Sequence, residues 1–233
     1  MNKVRIIGGI GPESTVEYYR MFIQQFRAKL GTEHYPEILV HSIDMTQMLD
    51  YVAKNELNEL VQFLRGKIQI LEQANIDYVA LASNTPHLVF EKLSKSVNAK
   101  MISIVEETCK AISASGLKKV GLLGTKFTMS KRFYQKAANQ KGIEMVIPNE
   151  EEQNYIHEKY MGELVFNHIN PVTKKELIRI VNELKSVEQI EGIVLGGTEL
   201  PLILKHDDFD NLRVFNTTEI HVDAILDIMI NGG

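Results

Sequence analysis

Short runs of aliphatic and β-branched residues alternate along this chain with longer segments of helical hydrophobic period. Apolar residues recur at helical spacing in Asn58–Ala74 and Lys175–Leu184, Asn170 and Pro171 are typical of a helix start, and Thr218–Ile230 resembles a terminal helix. Alternating strands and helices are the pattern of βαβ units, so we predict an α/β protein with mainly parallel sheets. The predicted strands are Val4–Gly8, Ile38–Ile43, Tyr78–Ala82, Met101–Val105, Lys119–Gly124, Glu144–Ile147, Gly192–Leu195 and Arg213–Phe215.

The two halves of the chain carry a weak internal repeat. Residues 4–9 resemble residues 120–125, and the motif that begins at Ser83 resembles the one at Gly197, both at an offset of about 115 residues. Near-equal offsets predict two similar α/β lobes related by a pseudo-twofold axis, with residues 1–100 plus 210–233 in the first lobe and 101–209 in the second. The alternative is that any two strand-to-helix turns look alike.

Charge and hydropathy limit the partners of the chain. Its 233 residues include 26 Lys and Arg against 30 Asp and Glu, a net charge of −4 without a basic stripe. Nucleic acid is therefore not an expected partner, since its phosphates call for clustered cations. No apolar run reaches the roughly 18–20 residues of a membrane span, and Met1 leads directly into a strand-like segment, so we expect a cytoplasmic protein that binds small molecules.

Cys109 is the only cysteine, which excludes an internal disulfide and a thiolate metal cluster. It falls in the helical stretch Glu106–Ile112, away from every strand end, and we interpret it as structural. The segment from His157 to Tyr160 lacks the second histidine that a zinc-binding helix requires, so we predict no metal site.

The loop after the first strand, Gly8 to Thr15, is rich in glycine and opens a helix. Its backbone N–H groups could bind a small carboxylate at the helix N-terminus. It does not match a dinucleotide fingerprint, because Ser14 stands at the third glycine position and Pro12 lacks an N–H group. A purely structural turn is the alternative.

Three further loops combine polar side chains with a helix start. They are Ser83-Asn84-Thr85-Pro86-His87, Gly196-Gly197-Thr198-Glu199-Leu200-Pro201 and Asn216-Thr217-Thr218-Glu219-Ile220-His221. In open α/β sheets, ligands bind at the carboxyl ends of the strands, where these loops are predicted to lie. His87 and His221 could orient or deprotonate a ligand there. Each could equally be a hydrogen-bonded histidine of a supporting shell or a helix cap.

Together with Leu123-Gly124-Thr125-Lys126-Phe127-Thr128-Met129, these motifs resemble the aspartate/glutamate racemase family over nearly the whole chain. The resemblance implies two Rossmann-like lobes that face each other across a cleft, with the substrate amino acid between them, and commonly a homodimer. It implies racemisation without pyridoxal phosphate, and hence no cofactor. In such enzymes two cysteines flank the substrate α-carbon, and here their positions are held by Ser83 and Gly197. The ordinary two-thiol mechanism is therefore impossible for this chain.

The resemblance also implies a set of carboxylate-binding residues and leaves three possible bases, His87, Glu199 and His221. The sequence thus predicts a cofactor-independent racemase-type protein that acts on an aspartate- or glutamate-like acid through a non-cysteine proton-transfer site. Two alternatives remain: a dicarboxylate-binding protein or lapsed enzyme, and an enzyme of the malonate decarboxylase or maleate isomerase type. The expected substrate-binding residues are Gly9, Ile10, Gly11, Asn84, Thr85, Thr125, Thr128, Thr198 and, by a looser correspondence, Lys159.

Overall fold

The computed structural model describes residues 2–231, and two four-stranded parallel sheets form the framework of these residues. The first sheet has the strand order β2-β1-β3-β4 and the second has the order β6-β5-β7-β8, so the two share one topology. This confirms the predicted α/β class with two Rossmann-like lobes. The strands are β1 (Val4–Gly8), β2 (Leu39–Ser42), β3 (Tyr78–Leu81), β4 (Lys100–Ile102), β5 (Lys119–Gly124), β6 (Glu144–Val146), β7 (Gly192–Gly196) and β8 (Arg213–Asn216).

Helices connect successive strands, and none within the described part is long and apolar enough to cross a membrane. Short 3₁₀ helices occupy Thr85–Val89, Leu164–Phe166 and His206–Asp208. The α-helices are α1 (Pro12–Leu30), α2 (Met45–Ala53), α3 (Leu57–Glu72), α4 (Phe90–Ser94), α5 (Ile104–Ala114), α6 (Lys126–Ser130), α7 (Phe133–Asn139), α8 (Glu150–Gly162), α9 (Pro171–Glu188), α10 (Leu200–Ile203) and α11 (Thr217–Asn231).

The chain divides into two compact units. The first runs to Ile104 and resumes at His221, and the second is Val105–Ile220. In the first unit, α1 and the later part of α11 pack on one face of the sheet. Tyr18, Phe22 and Phe26 lie four residues apart on α1 and are buried, because that spacing places them on one helical face. They meet apolar side chains of β1, β3 and β4 and, from α11, Val222, Ile225, Leu226 and Met229.

In the second unit, β5 and β7 form the buried centre of the sheet. The helices around them begin at residues suited to capping. The side chain of Asn149 accepts a hydrogen bond from the N–H of Glu152, whose side chain accepts one from the N–H of Asn149, and this capping box starts α8. Asn170 caps α9 with Pro171 in the first turn, as predicted.

Several predicted boundaries differ from the structure, and two of the differences have a clear physical reason. Residues 210–220 lie in the second unit rather than the first, because β8 pairs with β7 and this hydrogen bonding holds the segment in the second sheet. The predicted strand Met101–Val105 ends at Ile102, and Val105 is already helical. Glu106 and Glu107 stand in the first turn of α5, where negative charge favours the helix N-terminus.

Candidate functional site

The loop after β3 lies beside the loop after β1, because β1 and β3 are neighbouring parallel strands and the N–H of Ala82 donates to the carbonyl of Ile7. Ser83, Asn84 and Thr85 are all buried in this loop. Their side chains are the hydroxyl and amide groups that the sequence assigned to a carboxylate ligand. The first unit therefore gathers its predicted binding residues at one edge of its sheet.

His87 is buried and both of its ring nitrogens are engaged with the backbone. Nδ1 lies 3.0 Å from the carbonyl of Ser83, and Nε2 accepts a hydrogen bond from the N–H of Ile104 at 3.3 Å. A carbonyl can only accept, so Nδ1 carries the proton of a neutral ring. Burial, and then the charge of nearby His221, lowers the pKa of His87 to about 3. The ring therefore joins the Ser83 loop to the start of α5 as a neutral imidazole.

His221, on α11, has a matching arrangement in the same unit. Its Nε2 lies 3.1 Å from the carbonyl of Ile102 and its Nδ1 lies 2.9 Å from the hydroxyl of Tyr18. Nε2 therefore carries the proton, and Tyr18 donates to Nδ1. Burial lowers the pKa of His221 to about 4. This histidine ties α1, α11 and the end of β4 together without carrying a charge at neutral pH.

The glycine-rich loop after β1 is constrained by its backbone. Gly9 has φ of +81°, and a Cβ there would lie 2.6 Å from the carbonyl oxygen of Ile43, so only glycine fits. The N–H of Gly9 donates to Thr15 Oγ1 at 2.8 Å, which uses one of the donors that the sequence offered to an anion. Ile10 and Gly11 are buried between this turn and the start of α1.

In the second unit, the ends of β5 and β7 lie side by side, because Gly124 pairs with Gly196. Thr125 follows β5 and caps α6, and its Oγ1 accepts from the N–H of Thr128 at 3.2 Å. The two threonine hydroxyl oxygens also lie 3.2 Å apart. Both threonines are buried, so this pair of predicted binding residues is brought together beside the loop after β7.

The loop after β7 contains a buried polar cluster, which we call the Glu199 cluster (Tyr160, Gly197, Thr198 and Glu199). Thr198 Oγ1 donates to Glu199 Oε2 at 2.8 Å, and the hydroxyl of Tyr160, on α8, donates to the same oxygen. Glu199 is only 1% exposed. Hydrogen bonds donated to a carboxylate favour its ionised form. The two hydroxyl donors therefore favour the charge that burial opposes, at the carboxyl edge of the second sheet.

The ring of Tyr160 occupies the space that a side chain at position 197 would need. A Cβ at this position would overlap Tyr160 Cε2 and would lie 3.0 Å from the tyrosine hydroxyl oxygen. Tyr160 is itself buried, so the aromatic ring fills the volume next to the glycine. Burial, and then the charge of Glu199, raises the pKa of Tyr160 well above its ordinary value.

Lys159, the loosely predicted carboxylate-binding residue, and His157 both lie on α8 and both have partners in the protein. Lys159 forms ion pairs with Glu163 at 3.4 Å and with Glu158 at 3.5 Å, which raise its pKa. His157 Nδ1 accepts from the backbone N–H of Lys126 at 3.4 Å. Among the described residues, no group of three or more His, Cys, Asp or Glu side chains is placed to hold a metal ion.

Sequence reasoning missed the two tyrosines. Tyr160 follows the buried Gln153 and Ile156 at helical spacing, which marks it as an inward-facing residue of α8. Tyr18 is marked in the same way by Phe22 and Phe26 on α1. That pattern predicts burial, but the partners of these hydroxyl groups are distant in the chain and follow only from the fold.

The chain resembles known proteins over most of its length. The sequence model of the Asp/Glu/Hydantoin racemase family matches residues 7–225. A solved aspartate racemase homologue from Pyrococcus horikoshii is 37% identical with a TM-score of 0.84, and the match covers 98% of this chain and 99% of that one. The Picrophilus torridus aspartate racemase shares the fold, with a TM-score of 0.78 at 23% identity over 99% of this chain and 94% of that one.

A curated relative matches over a shorter stretch. The broad specificity amino-acid racemase RacX of Bacillus subtilis is 29% identical over 147 residues, which cover 61% of this chain and 63% of RacX. The match therefore spans less than two thirds of that relative's length.

Proposed function

The chain belongs to the Asp/Glu/hydantoin racemase family, and from this membership we propose that it is a cofactor-independent amino-acid racemase-type enzyme for an aspartate- or glutamate-like acid. Its proton transfer uses groups other than thiols. The resemblance of its motifs to the family implies that Ser83 and Gly197 hold the two thiol positions, and the one cysteine, Cys109, is buried in α5.

The substrate carboxylates bind at the carboxyl edges of the two sheets. Asn84 and Thr85 serve this purpose in the first unit, and Thr125 and Thr128 serve it in the second. Hydroxyl and amide groups beside helix N-termini suit carboxylates, because both provide hydrogen-bond donors to negative charge. Ser83 is a further hydrogen-bonding group for the substrate, since an unassisted serine hydroxyl is too weak an acid to replace a thiol.

Glu199 is the general base in this proposal, and its position in the Glu199 cluster is the observation that carries it. The hydroxyl donors direct the carboxylate and favour its ionised form against the opposing effect of burial, and a base requires both direction and charge. His87 and His221 are less suitable, because the ring nitrogen that carries no proton already accepts a hydrogen bond in each. Glu199 takes the substrate α-proton, and the electron pair is delocalised into the substrate carboxylate. Return of the electron pair to the α-carbon, with a proton taken from water on the opposite face, gives the other enantiomer.

Proton exchange in deuterated water tests the proposal. Purified protein is incubated with the L- and D-forms of aspartate and glutamate, while the α-proton signal is followed by NMR and the enantiomers are separated by chromatography. We expect exchange with the wild type and a loss of roughly 100-fold or more in Glu199→Gln, the usual range for removal of a general base. Absence of exchange across a broad amino-acid panel would overturn the proposal.

A matched control lies at the other end of the same strand. Glu191 directly precedes β7 and its carboxylate accepts from the backbone N–H groups of Lys118 and Lys119. Glu191→Gln removes a carboxylate charge just before β7, at the amino edge of the sheet, so exchange should persist. Equal loss in the two variants would mean that Glu199 supports the fold rather than the reaction.

A second candidate function is binding without turnover. The observation that favours it is the absence of a side chain at Gly197 together with the full use of both ring nitrogens in His87 and His221. Calorimetric binding of dicarboxylates with no exchange would support this candidate. Release of carbon dioxide from substituted malonates, or isomerisation of maleate, would instead indicate an enzyme of the malonate decarboxylase or maleate isomerase type. Such an enzyme needs proton transfer on only one face of the substrate.

We also propose a homodimer, as the family resemblance implies. Size-exclusion chromatography with light scattering tests this, and a mass equal to that of one chain at micromolar concentration would contradict it.

A further inference from the structure

Tyr160 makes three contacts with the loop after β7. Its hydroxyl donates to Glu199 Oε2, its hydroxyl oxygen accepts a hydrogen bond from the backbone N–H of Glu199 at 3.5 Å, and its ring covers Gly197. The tyrosine is buried, and 39 residues separate it from Glu199 in the chain. One side chain of α8 is therefore attached to both the carboxylate and the main chain of the predicted base.

We propose that Tyr160 is the positioning residue for Glu199, holding the carboxylate ionised and in one orientation beside Gly197. This inference rests on the proposed function, in which Glu199 is the base. Tyr160 acts through Glu199 rather than on the substrate. A phenol donates one directed hydrogen bond, which stabilises the charged carboxylate and limits its rotation.

Gly197 also affects the orientation of the Glu199 carboxylate, because the ring of Tyr160 packs directly on the glycine. A methyl group at position 197 would occupy the place of the Tyr160 ring, so the ring must shift if the glycine is replaced. A shift of the ring moves the hydroxyl away from Glu199. Gly197 is therefore required for the orientation of the carboxylate.

The other titratable side chains of α8 near the Glu199 cluster have partners outside the cluster. On α8, Lys159 pairs with Glu163, and His157 accepts from the backbone of Lys126 while its ring packs edge-on against Phe127. Thr198 contributes the second hydroxyl donor to Glu199. The raised pKa of Tyr160 keeps its hydroxyl protonated, and so able to donate, at neutral pH.

Tyr160→Phe tests the proposal, because it removes the hydroxyl and keeps the ring over Gly197. The carboxylate loses a donor that favours its ionised form, so we expect the acid limb of the pH–rate profile for α-proton exchange to move to higher pH by roughly one unit. The KM should stay within about twofold, since Tyr160 does not bind the substrate. An unchanged limb would overturn the proposal.

The matched control is Tyr134→Phe. Tyr134 is also buried in the second unit, and its hydroxyl bonds with Thr108 rather than with a carboxylate. This variant loses a buried hydroxyl but should keep the wild-type profile. A shift of the same size in both variants would indicate a general effect of lost stability and would contradict a specific role for Tyr160.

A measurement without substrate separates this inference from the proposed function. In protein labelled with ¹³C at glutamate Cδ, the Glu199 signal is identified by its loss in Glu199→Gln. We expect its titration midpoint to move to higher pH in Tyr160→Phe and in Gly197→Ala, with no further movement in the double variant. If the wild type exchanges no α-proton but these midpoints move, only the proposed function fails. If the midpoints do not move, the positioning role fails, whether or not exchange occurs.

Discussion

Whether a buried side chain can move a proton depends on how the fold already uses its hydrogen-bonding atoms. His87 and His221 each bind two partners in the first unit, and in each ring the nitrogen without a proton accepts from the protein. Protonation of either ring would break one of these bonds and bury a charge. Glu199 receives hydroxyl donors that favour its charged form, which is why we assign the base to the carboxylate.

The charge of Glu199 should be detectable on its neighbour. Burial is the larger cause of the raised pKa of Tyr160, and the Glu199 charge adds to it. We therefore expect Glu199→Gln to lower the pKa of Tyr160 while burial keeps it above the ordinary value. Titration of ¹³Cζ-labelled tyrosine by NMR measures this, with Tyr134 as the internal reference. An unchanged Tyr160 titration would mean that the two side chains are not adjacent in solution.

Cys109 should be unreactive in the folded protein. Its side chain is fully buried in α5, and burial raises the pKa of the thiol to about 12, so very little thiolate forms near neutral pH. We expect no labelling by a disulfide reagent at pH 8 under native conditions, and one labelled thiol per chain after unfolding in guanidinium. Fast native labelling would contradict the structural role assigned to this cysteine.

At the scale of elements, α8 supports the Glu199 cluster because it carries Tyr160. The helix begins at the capping box of Asn149 and Glu152. Replacement of such a capping residue by alanine costs roughly 1 kcal/mol, so Asn149→Ala should lower the free energy of unfolding by about that amount in urea titrations. Asn149→Ser retains a capping hydroxyl and should stay close to the wild type. Equal stability of the alanine variant and the wild type would contradict a structural role for the cap.

The positions of the strands along the chain were predictable from the sequence, because hydrophobic runs and turns are local signals. Each predicted strand overlaps an observed one, and the repeat is matched by two sheets of the same topology. The end of β4 was misplaced, because Ile104 and Val105 have strand-like side chains and yet begin α5. The boundary near residue 210 was misplaced because the pairing of β8 with β7 is a tertiary contact, which a local sequence pattern does not show.

The candidate site was predictable as a set of loops and not as a set of bonds. The end of each strand identified Ser83, Gly197 and Glu199, since parallel strands direct their carboxyl ends to one edge. The partners of His221 were hidden, because Ile102 is 119 residues away in the chain. Tyr160 was hidden for the same reason, and a local pattern cannot show which buried hydroxyl meets which carboxylate.

At the scale of the whole molecule, the two buried histidines make stability depend on pH. In the unfolded chain each imidazole takes up a proton below its ordinary pKa of 6.5, whereas in the folded chain His221 stays neutral to about pH 4 and His87 to about pH 3. The unfolded state therefore binds more protons in this window, so the free energy of unfolding falls as the pH falls.

The expected loss is about 1.4 kcal/mol per pH unit for each histidine, or about 2 kcal/mol each between pH 7 and pH 5. Urea titrations across this range measure the slope, which should decrease in His87→Gln and in His221→Gln because each variant removes one of the two proton sites. His206→Gln is the matched control, since His206 is 73% exposed at its side chain and the change leaves both buried imidazoles in place. A stability that does not change from pH 7 to pH 5 would mean that the two rings are protonated, or accessible to water, in the folded protein.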